Sequence, residues 1–214
     1  MIGFTCVWRE MPAARKPLGP EVARELRQAG FVVIPEVVGG DELGQLAQVY
    51  DAAVASAVPP ELRVGSETTR VHGLVRYREF ARLSRHPQVL DACRGVIGQP
   101  FHLSSLMART VRPRSREQAL HVDARADSEG WPMVGFILMV DAFSMDNGST
   151  RFVPGSHEWS EAPAEVRSSH VLARGAAGSL VIYNGSVWHG HSANETGIPR
   201  RSVQGAFTRS SLTT

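Results

Sequence analysis

The spacing of apolar residues changes near the middle of the chain. In the first hundred residues, apolar positions recur at helical intervals in three segments: 20–30, 41–57 and 86–98. Pro20 suits the first turn of a helix, Gly30 suits a helix end, and Asp41 is placed to cap the second helix. A short β-branched run over 31–38, interrupted by Pro35, separates the first two segments. We therefore predict three helices before residue 100.

Beyond residue 100 the pattern changes to short runs rich in β-forming residues, separated by Gly- and Asn-containing turns. The runs are 102–111, 118–123, 133–142, 150–153, 169–173, 179–183, 186–190 and 200–208. Short strands at this spacing are typical of an antiparallel barrel or sandwich. We predict a single α+β domain over 1–214, with a helical part over about 1–100. Its helices pack on the outside of one sheet of a jelly-roll core over about 101–210.

Composition narrows the possible partners and location. The net charge of the 214 residues is +2 and the basic residues form no long block, so we expect no nucleic-acid partner. Cys6 and Cys93 are too few for a disulfide framework and suit a reducing compartment. The first 17 residues lack the pattern of a signal peptide, and the longest apolar run is only 134–140. We expect a cytoplasmic protein without a membrane span.

One histidine has a carboxylate at a useful spacing. His121 and Asp123 are two residues apart in a run predicted as a strand, so their side chains should project from the same face. An imidazole and a carboxylate together form two thirds of the 2-His-1-carboxylate set that holds Fe(II). Such a three-residue match is common by chance, so a third ligand is needed to support it.

A second segment supplies candidates for that ligand. His189 and His191 end another β run, and Arg200 and Arg201 begin the last one. Both histidines would face the same way on a continuous strand, but Gly190 between them leaves this open. An arginine fork suits a carboxylate, and a dicarboxylic keto acid that chelates the metal needs a cation for its far end.

Four segments, in order along most of the chain, resemble the phytanoyl-CoA dioxygenase family. They are "GFVVIPEVVGGDEL", "LHVDA", "NGSTRFVPGSH" and "AGSLVIYNGSVWHGHSAN" followed by "PRRS". The resemblance implies a double-stranded β-helix and an oxygenase that uses Fe(II), 2-oxoglutarate and O2, and releases succinate and CO2. It also implies that three residues bind iron at the catalytic centre: His121, Asp123 and His189.

The resemblance also separates the two arginines. In this family the distal histidine precedes the arginine by eleven positions, which is the step from His189 to Arg200. Arg200 would then bind the distal carboxylate of 2-oxoglutarate. On the last strand Ser202 shares a face with Arg200 and can reach the same carboxylate, whereas Arg201 points to the other face. We expect Arg201 to be a surface or rim charge.

Other residues have expected roles or stay open. Related halogenases carry a small residue where this chain has Asp123, so the aspartate favours hydroxylation or another oxidation. Asn194 is expected to bond to local backbone, and His157 to be structural. His191 replaces a residue that is often small in the family. It is either a hydrogen-bond donor near the co-substrate or a histidine of a surface loop.

The substrate is indicated least well. Arg109, on the strand before the ligand pair, and Arg125 and Trp131, just after it, are candidates for substrate binding. An exposed loop arginine and a core tryptophan are the alternatives for Arg125 and Trp131. We predict oxidation of an unactivated C–H bond in a small organic metabolite, in bacterial secondary metabolism, with a CoA thioester or fatty acyl substrate still open.

Two other classes compete with this interpretation. A cupin-type metalloenzyme would use the histidines without 2-oxoglutarate, and a binding or sensor module would keep the fold without catalysis. The arginine eleven residues after the histidine argues against the first, and the intact ligand set argues against the second. Nothing in the sequence indicates the oligomeric state.

Overall fold

The computed structural model describes residues 17–160 and 170–212. Its helices are α1 (Pro20–Ala29), α2 (Gly40–Ser56), α3 (Arg78–Leu83) and α4 (Pro87–Val96). Its strands are β1 (Phe31–Ile34), β2 (Leu62–Val64), β3 (Thr68–Val71), β4 (Phe101–Val111), β5 (Met133–Met139), β6 (Thr150–Phe152), β7 (Val171–Leu172), β8 (Leu180–Asn184), β9 (His189–His191) and β10 (Arg200–Arg209). No helix in the described ranges is long and apolar enough to cross a membrane.

The strands form two antiparallel sheets. The large sheet has the order β1-β8-β5-β10-β4-β3-β2, and the small sheet has the order β7-β6-β9. Apolar side chains of both sheets meet in one buried cluster that includes Phe152 of β6 and Val181 of β8. This is the sandwich arrangement of a jelly roll. The predicted α+β class, with a jelly-roll core and added helices, is confirmed.

The centre of the large sheet is buried on both faces. In β5, Phe136 and Leu138 belong to the cluster that includes the helix residues Leu46 and Phe80, whereas Ile137 belongs to the cluster between the sheets. Because successive side chains of a strand alternate in direction, such a strand must be apolar at nearly every position. The predicted packing of helices on the outside of one sheet is therefore confirmed.

The first hundred residues contribute more than helices. β1 pairs with β8 at one edge of the large sheet, and β2 and β3 extend the other edge beyond β4. The apolar pattern did not predict β2, β3 or α3, since the edge strand β2 is mostly exposed and lacks a buried face. The Asp41 cap was also wrong: the N-cap of α2 is Gly39, which has no side chain to bond. Asp41 instead lies in the first turn, where its charge favours the helix dipole.

The run 118–123 differs from its prediction as well. It forms no continuous strand, but His121 pairs with His189 at the edge of the small sheet, and the Gln118 N–H donates to the His191 carbonyl at 2.9 Å. Of the two cysteines, Cys93 is buried and free, and Cys6 lies outside the described residues.

Candidate metal centre

Three side chains converge where the 118–123 segment meets β9. The possible ligand atoms of His121, Asp123 and His189 all lie within 4.8 Å of one another. The Asp123 carboxylate is 3.7 Å from the His121 Nε2 through one oxygen and 3.5 Å from the His189 Nε2 through the other. The histidine and aspartate from one segment and the histidine from the other thus form one compact donor set.

The backbone brings the two histidines together. Each of His121 and His189 donates its N–H to the carbonyl of the other, at 2.9 Å in both directions. A Cβ on Gly190 would lie 3.0 Å from the carbonyl oxygens of both Gln118 and Ala119. Glycine between the two histidines therefore permits the close approach of the 118–121 segment to β9.

Hydrogen bonds orient both imidazole rings. The Nδ1 of His121 lies 3.1 Å from the Ala119 carbonyl oxygen, and the Nδ1 of His189 lies 2.9 Å from the Val187 carbonyl oxygen. A carbonyl oxygen can only accept, so each Nδ1 is assigned the proton and each Nε2 keeps its lone pair for a metal. Burial lowers the pKa of His189 to about 4, against the opposing effect of Asp123, so its imidazole is neutral near pH 7.

A tyrosine holds the carboxylate. The buried Tyr183 hydroxyl donates to Asp123 Oδ2 at 2.8 Å. Burial, and then the charge of Asp123, raise the pKa of Tyr183, so its hydroxyl stays protonated and remains a donor. One Asp123 oxygen is therefore oriented by the protein, as is usual for carboxylates that bind metals.

The donor chemistry fits a divalent transition metal. Two imidazole nitrogens and one carboxylate oxygen are the donor set that non-haem Fe(II) uses. All three residues line a cavity of about 470 Å³, which is large enough for small molecules.

Arg200 reaches the same cavity from the large sheet. Its side chain is only 1% exposed, and no carboxylate lies within ion-pair distance among the described residues. Its guanidinium donates to the Ser202 hydroxyl at 3.0 Å and to the Gly148 carbonyl, and it lies 4.0 Å from the centroid of the Phe143 ring. Burial, and then the charge of Arg109, lower the pKa of Arg200 to about 9. Arg200 is therefore a buried cation with no ion-pair partner in the described part of the chain.

The neighbours of Arg200 have different surroundings. The buried Ser202 does not line the cavity; its hydroxyl donates to the Arg109 carbonyl at 3.1 Å while accepting from Arg200. Arg201 lies on the opposite face, where it forms ion pairs with Asp141 at 2.7 Å and Asp51 at 2.8 Å. Ser202 therefore contacts Arg200 and not the cavity, so the structure gives no support to its predicted contact with the co-substrate carboxylate. Arg201 is held by the two surface carboxylates.

The structure shows the surroundings of three other polar residues. His191 is 4% exposed and lines the cavity, which excludes the surface-loop alternative. His157 lies within hydrogen-bond distance of the Arg27 carbonyl, 3.0 Å from its Nε2, and is absent from the cavity wall, as expected for a structural residue. Asn194 bonds locally to Ile198 and Thr196, also as expected.

The three substrate candidates divide. Arg109 lines the cavity. Arg125 is exposed, with its guanidinium 5.8 Å from the Trp188 ring centroid, and Trp131 packs against the His157 ring at 5.3 Å between centroids. Neither of the latter lines the cavity, so the geometry gives no support to a substrate role for them.

The sequence did not indicate several polar residues that line the cavity: Arg70, Gln118, Tyr183 and Gln204. Tyr183 ends an apolar run, so the pattern predicts a core residue. A buried tyrosine hydroxyl needs a hydrogen-bond partner, however, and this indicates a polar neighbour. Arg70 lies in β3, which the apolar pattern did not predict. Its position beside the cavity follows only from strand pairing with β4.

A jelly roll that presents two histidines, an aspartate and a buried arginine to one cavity is the architecture of non-haem iron oxygenases. The family described as Phytanoyl-CoA dioxygenase (PhyH) matches residues 26–202 of this chain. The chain belongs to this family.

Relatives and solved structures agree with that assignment. The dioxygenase af480 of Aspergillus fumigatus is 26% identical over 85% of this chain and 64% of its own length, so the chain spans less than two thirds of that relative. The epimerase SnoN from nogalamycin biosynthesis, solved with Fe3+, α-ketoglutarate and nogalamycin RO, is 20% identical with a TM-score of 0.74, covering 88% of this chain and 82% of that one. EctD from S. alaskensis, solved with 2-oxoglutarate and 5-hydroxyectoine, is 18% identical with a TM-score of 0.77, covering 93% and 79%. These two likenesses show a shared fold.

Proposed function

We propose that the protein is an Fe(II)- and 2-oxoglutarate-dependent dioxygenase that oxidises a C–H bond of a small organic metabolite. The observation that carries this is the placement of the buried, anion-free Arg200 and the His121–Asp123–His189 set on one cavity. A metal centre alone would fit many reactions. A metal centre with a buried cation nearby fits a chelating acid with a second carboxylate.

His121, Asp123 and His189 would hold the iron. Bound there, iron supplies the chemistry that couples decarboxylation of 2-oxoglutarate, to succinate and CO2, with oxidation of the substrate by O2. The chain's own residues prepare the site: the Ala119 and Val187 carbonyls fix the ring tautomers. Tyr183 fixes one carboxylate oxygen, so the three donors are oriented before the metal arrives.

Arg200 would bind the distal carboxylate of 2-oxoglutarate, with Ser202 holding its guanidinium in place. A carboxylate paired with a buried arginine is attracted in a medium of low dielectric, and it offsets the desolvation of the cation. A cupin-type enzyme that does not use 2-oxoglutarate has no need for this unpaired charge, and neither does a binding module without the co-substrate.

We take hydroxylation as the reaction because Asp123 supplies a carboxylate ligand, whereas related halogenases carry a small residue at that position. The cavity of about 470 Å³ suits a small metabolite. Relatives named as dioxygenases occur in fungi, and SnoN and EctD were solved with the small molecules nogalamycin RO and 5-hydroxyectoine, respectively. We include a role in bacterial secondary metabolism in the proposal. Arg109, which lines the cavity, is the residue proposed to contact the substrate.

The test measures succinate formed from 2-oxoglutarate by the protein supplied with Fe(II) and air, together with 2-oxoglutarate binding to the nickel-loaded protein without turnover. We expect slow succinate formation even without substrate, and its loss in Asp123→Ala. Asp51→Ala, which removes an exposed carboxylate away from the cavity, is the matched control and should keep both signals. If the loaded native protein neither binds nor consumes 2-oxoglutarate, the proposed function is wrong.

A further inference from the structure

Three arginines lie directly opposite one another on neighbouring strands. Arg63 of β2 pairs in register with Arg70 of β3, and Arg70 pairs with Arg109 of β4. The next residue across the sheet is Ser202 of β10. Residues paired in this way share a face, with Cβ atoms about 5 Å apart, and like charges there are destabilising. The arginine row (Arg63, Arg70, Arg109) therefore destabilises the folded protein when no anion is bound.

No carboxylate within the described ranges forms an ion pair with the arginine row. Arg109 instead donates to the neutral side-chain amides of Gln118, at 2.7 Å, and Gln204, at 3.4 Å, and its Nε has no partner among the described residues. Burial, and then the charge of Arg70, lower the pKa of Arg109 to about 10. Arg109 is therefore a half-buried cation on the cavity wall with no ion-pair partner among the described residues.

The row borders a second cavity of about 330 Å³. This cavity shares Arg70, Arg109, Gln118 and His191 with the cavity of the metal centre, so the two spaces adjoin. Its one acidic wall residue, Glu67, accepts a hydrogen bond from the Arg116 backbone N–H. The wall is otherwise cationic or neutral and continues toward the metal ligands.

The position of the row separates it from the site proposed for 2-oxoglutarate. Arg200 lies on β10, whereas Arg70 and Arg63 lie one and two strands beyond β4 toward the edge of the large sheet. A five-carbon diacid whose two ends are taken by the metal and by Arg200 has no further carboxylate to offer. The row is therefore available to a different anion.

We infer that the second cavity binds an anionic group of the substrate, a carboxylate or a phosphate, through Arg70 and Arg109, with Arg63 at the entrance. This rests on the proposed function and adds a substrate class to it: a small acid or phosphate ester whose neutral remainder extends toward the metal centre. Bidentate arginine contacts would fix the orientation of the molecule, and they would discriminate against neutral analogues of the same shape.

The experiment titrates inorganic phosphate and, separately, acetate into the nickel-loaded protein saturated with 2-oxoglutarate, at low ionic strength, by calorimetry. We expect at least one of the two anions to bind, with affinity reduced about 10-fold or more in Arg70→Gln, the loss of one charged hydrogen-bonding contact. Arg70→Lys should restore part of the affinity. Arg24→Gln, which changes an exposed arginine of α1, should bind as the native protein does. Phosphate alone binding identifies a phosphate ester, and acetate binding identifies a carboxylic acid.

Three results would overturn the inference: neither anion binds, Arg70→Gln binds as tightly as the native protein, or saturating 2-oxoglutarate abolishes the binding. The last would mean that the row serves the co-substrate. Binding of 2-oxoglutarate itself, measured in the same nickel-loaded proteins, separates this failure from failure of the proposed function. It should survive in Arg70→Gln and disappear in Arg200→Met.

Discussion

Replacing Arg200 by methionine should abolish 2-oxoglutarate binding at little cost to the stability of the free protein. A pKa of about 9 in place of 12.5, at about 1.4 kcal/mol per tenfold change in acidity, disfavours the charged guanidinium on folding by on the order of 5 kcal/mol. The variant recovers this cost. It loses the hydrogen bonds to Ser202 and Gly148 and the contact with Phe143, which at about 1.5–3 kcal/mol per charged hydrogen bond nearly cancels the gain.

The expected change in the free energy of unfolding is therefore within about 2 kcal/mol, measured by urea denaturation of the metal-free protein. Removing one partner of a compensated buried ion pair would instead cost about 3–5 kcal/mol. For the nickel-loaded native protein, 2-oxoglutarate at about 100 times its Kd should add about 2.7 kcal/mol of stability. For Arg200→Met it should add none.

Arg201→Met is the matched control, because it removes the adjacent arginine on the opposite face. It breaks the ion pairs with Asp141 and Asp51, so it should lose stability but keep the stabilisation by 2-oxoglutarate. Two results would refute the reasoning. A loss of more than about 3 kcal/mol in free Arg200→Met would show that the charge is structural, and undiminished stabilisation by 2-oxoglutarate would show that the acid binds elsewhere.

Three further predictions each concern one side chain: Tyr183, Ser202 and Cys93. Tyr183→Phe should leave the fold intact but weaken nickel binding about 10- to 100-fold, because Asp123 loses the donor that orients it; unchanged affinity in a metal titration would contradict this. Ser202→Ala should weaken 2-oxoglutarate binding about 10-fold, since Arg200 loses a hydrogen-bond partner; a calorimetric titration with no change would show that Arg200 needs no such support. Cys93 is buried, and burial raises the pKa of its thiol to about 12, so iodoacetamide should label it only after unfolding. Mass-spectrometric detection of the label on folded protein would contradict this.

The sequence predicted the fold well where burial was strong. The central strands β5 and β8 are apolar at nearly every position because both faces are covered, and such runs are visible without a structure. The edge strand β2 and its neighbour β3 were not predicted, because β2 is mostly exposed and neither short strand carries an alternating apolar pattern. The segment 118–123 is predicted as a strand, but it meets β9 only through the isolated pair of His121 with His189 and through the Gln118 N–H.

For the candidate site, spacing along the chain was sufficient where the residues lie on regular strands. The alternation of β10 placed Arg200 inward and Arg201 outward, and the structure has both in those directions. Arg70 was not predictable, because its position beside Arg109 depends on pairing between β3 and β4, which are far apart in the chain. Arg125 and Trp131 are close to Asp123 in the sequence, but neither side chain lines the cavity.

The claim most open to direct measurement is that His121, Asp123 and His189 hold a metal ion. Protein equilibrated anaerobically with Fe(II) and then freed of excess ion can be assayed for iron per chain, beside Asp123→Ala, His189→Ala and the control Asp51→Ala. We expect close to one iron per chain in the native protein and in Asp51→Ala, and almost none in the other two. Equal iron content in all four proteins would contradict the account.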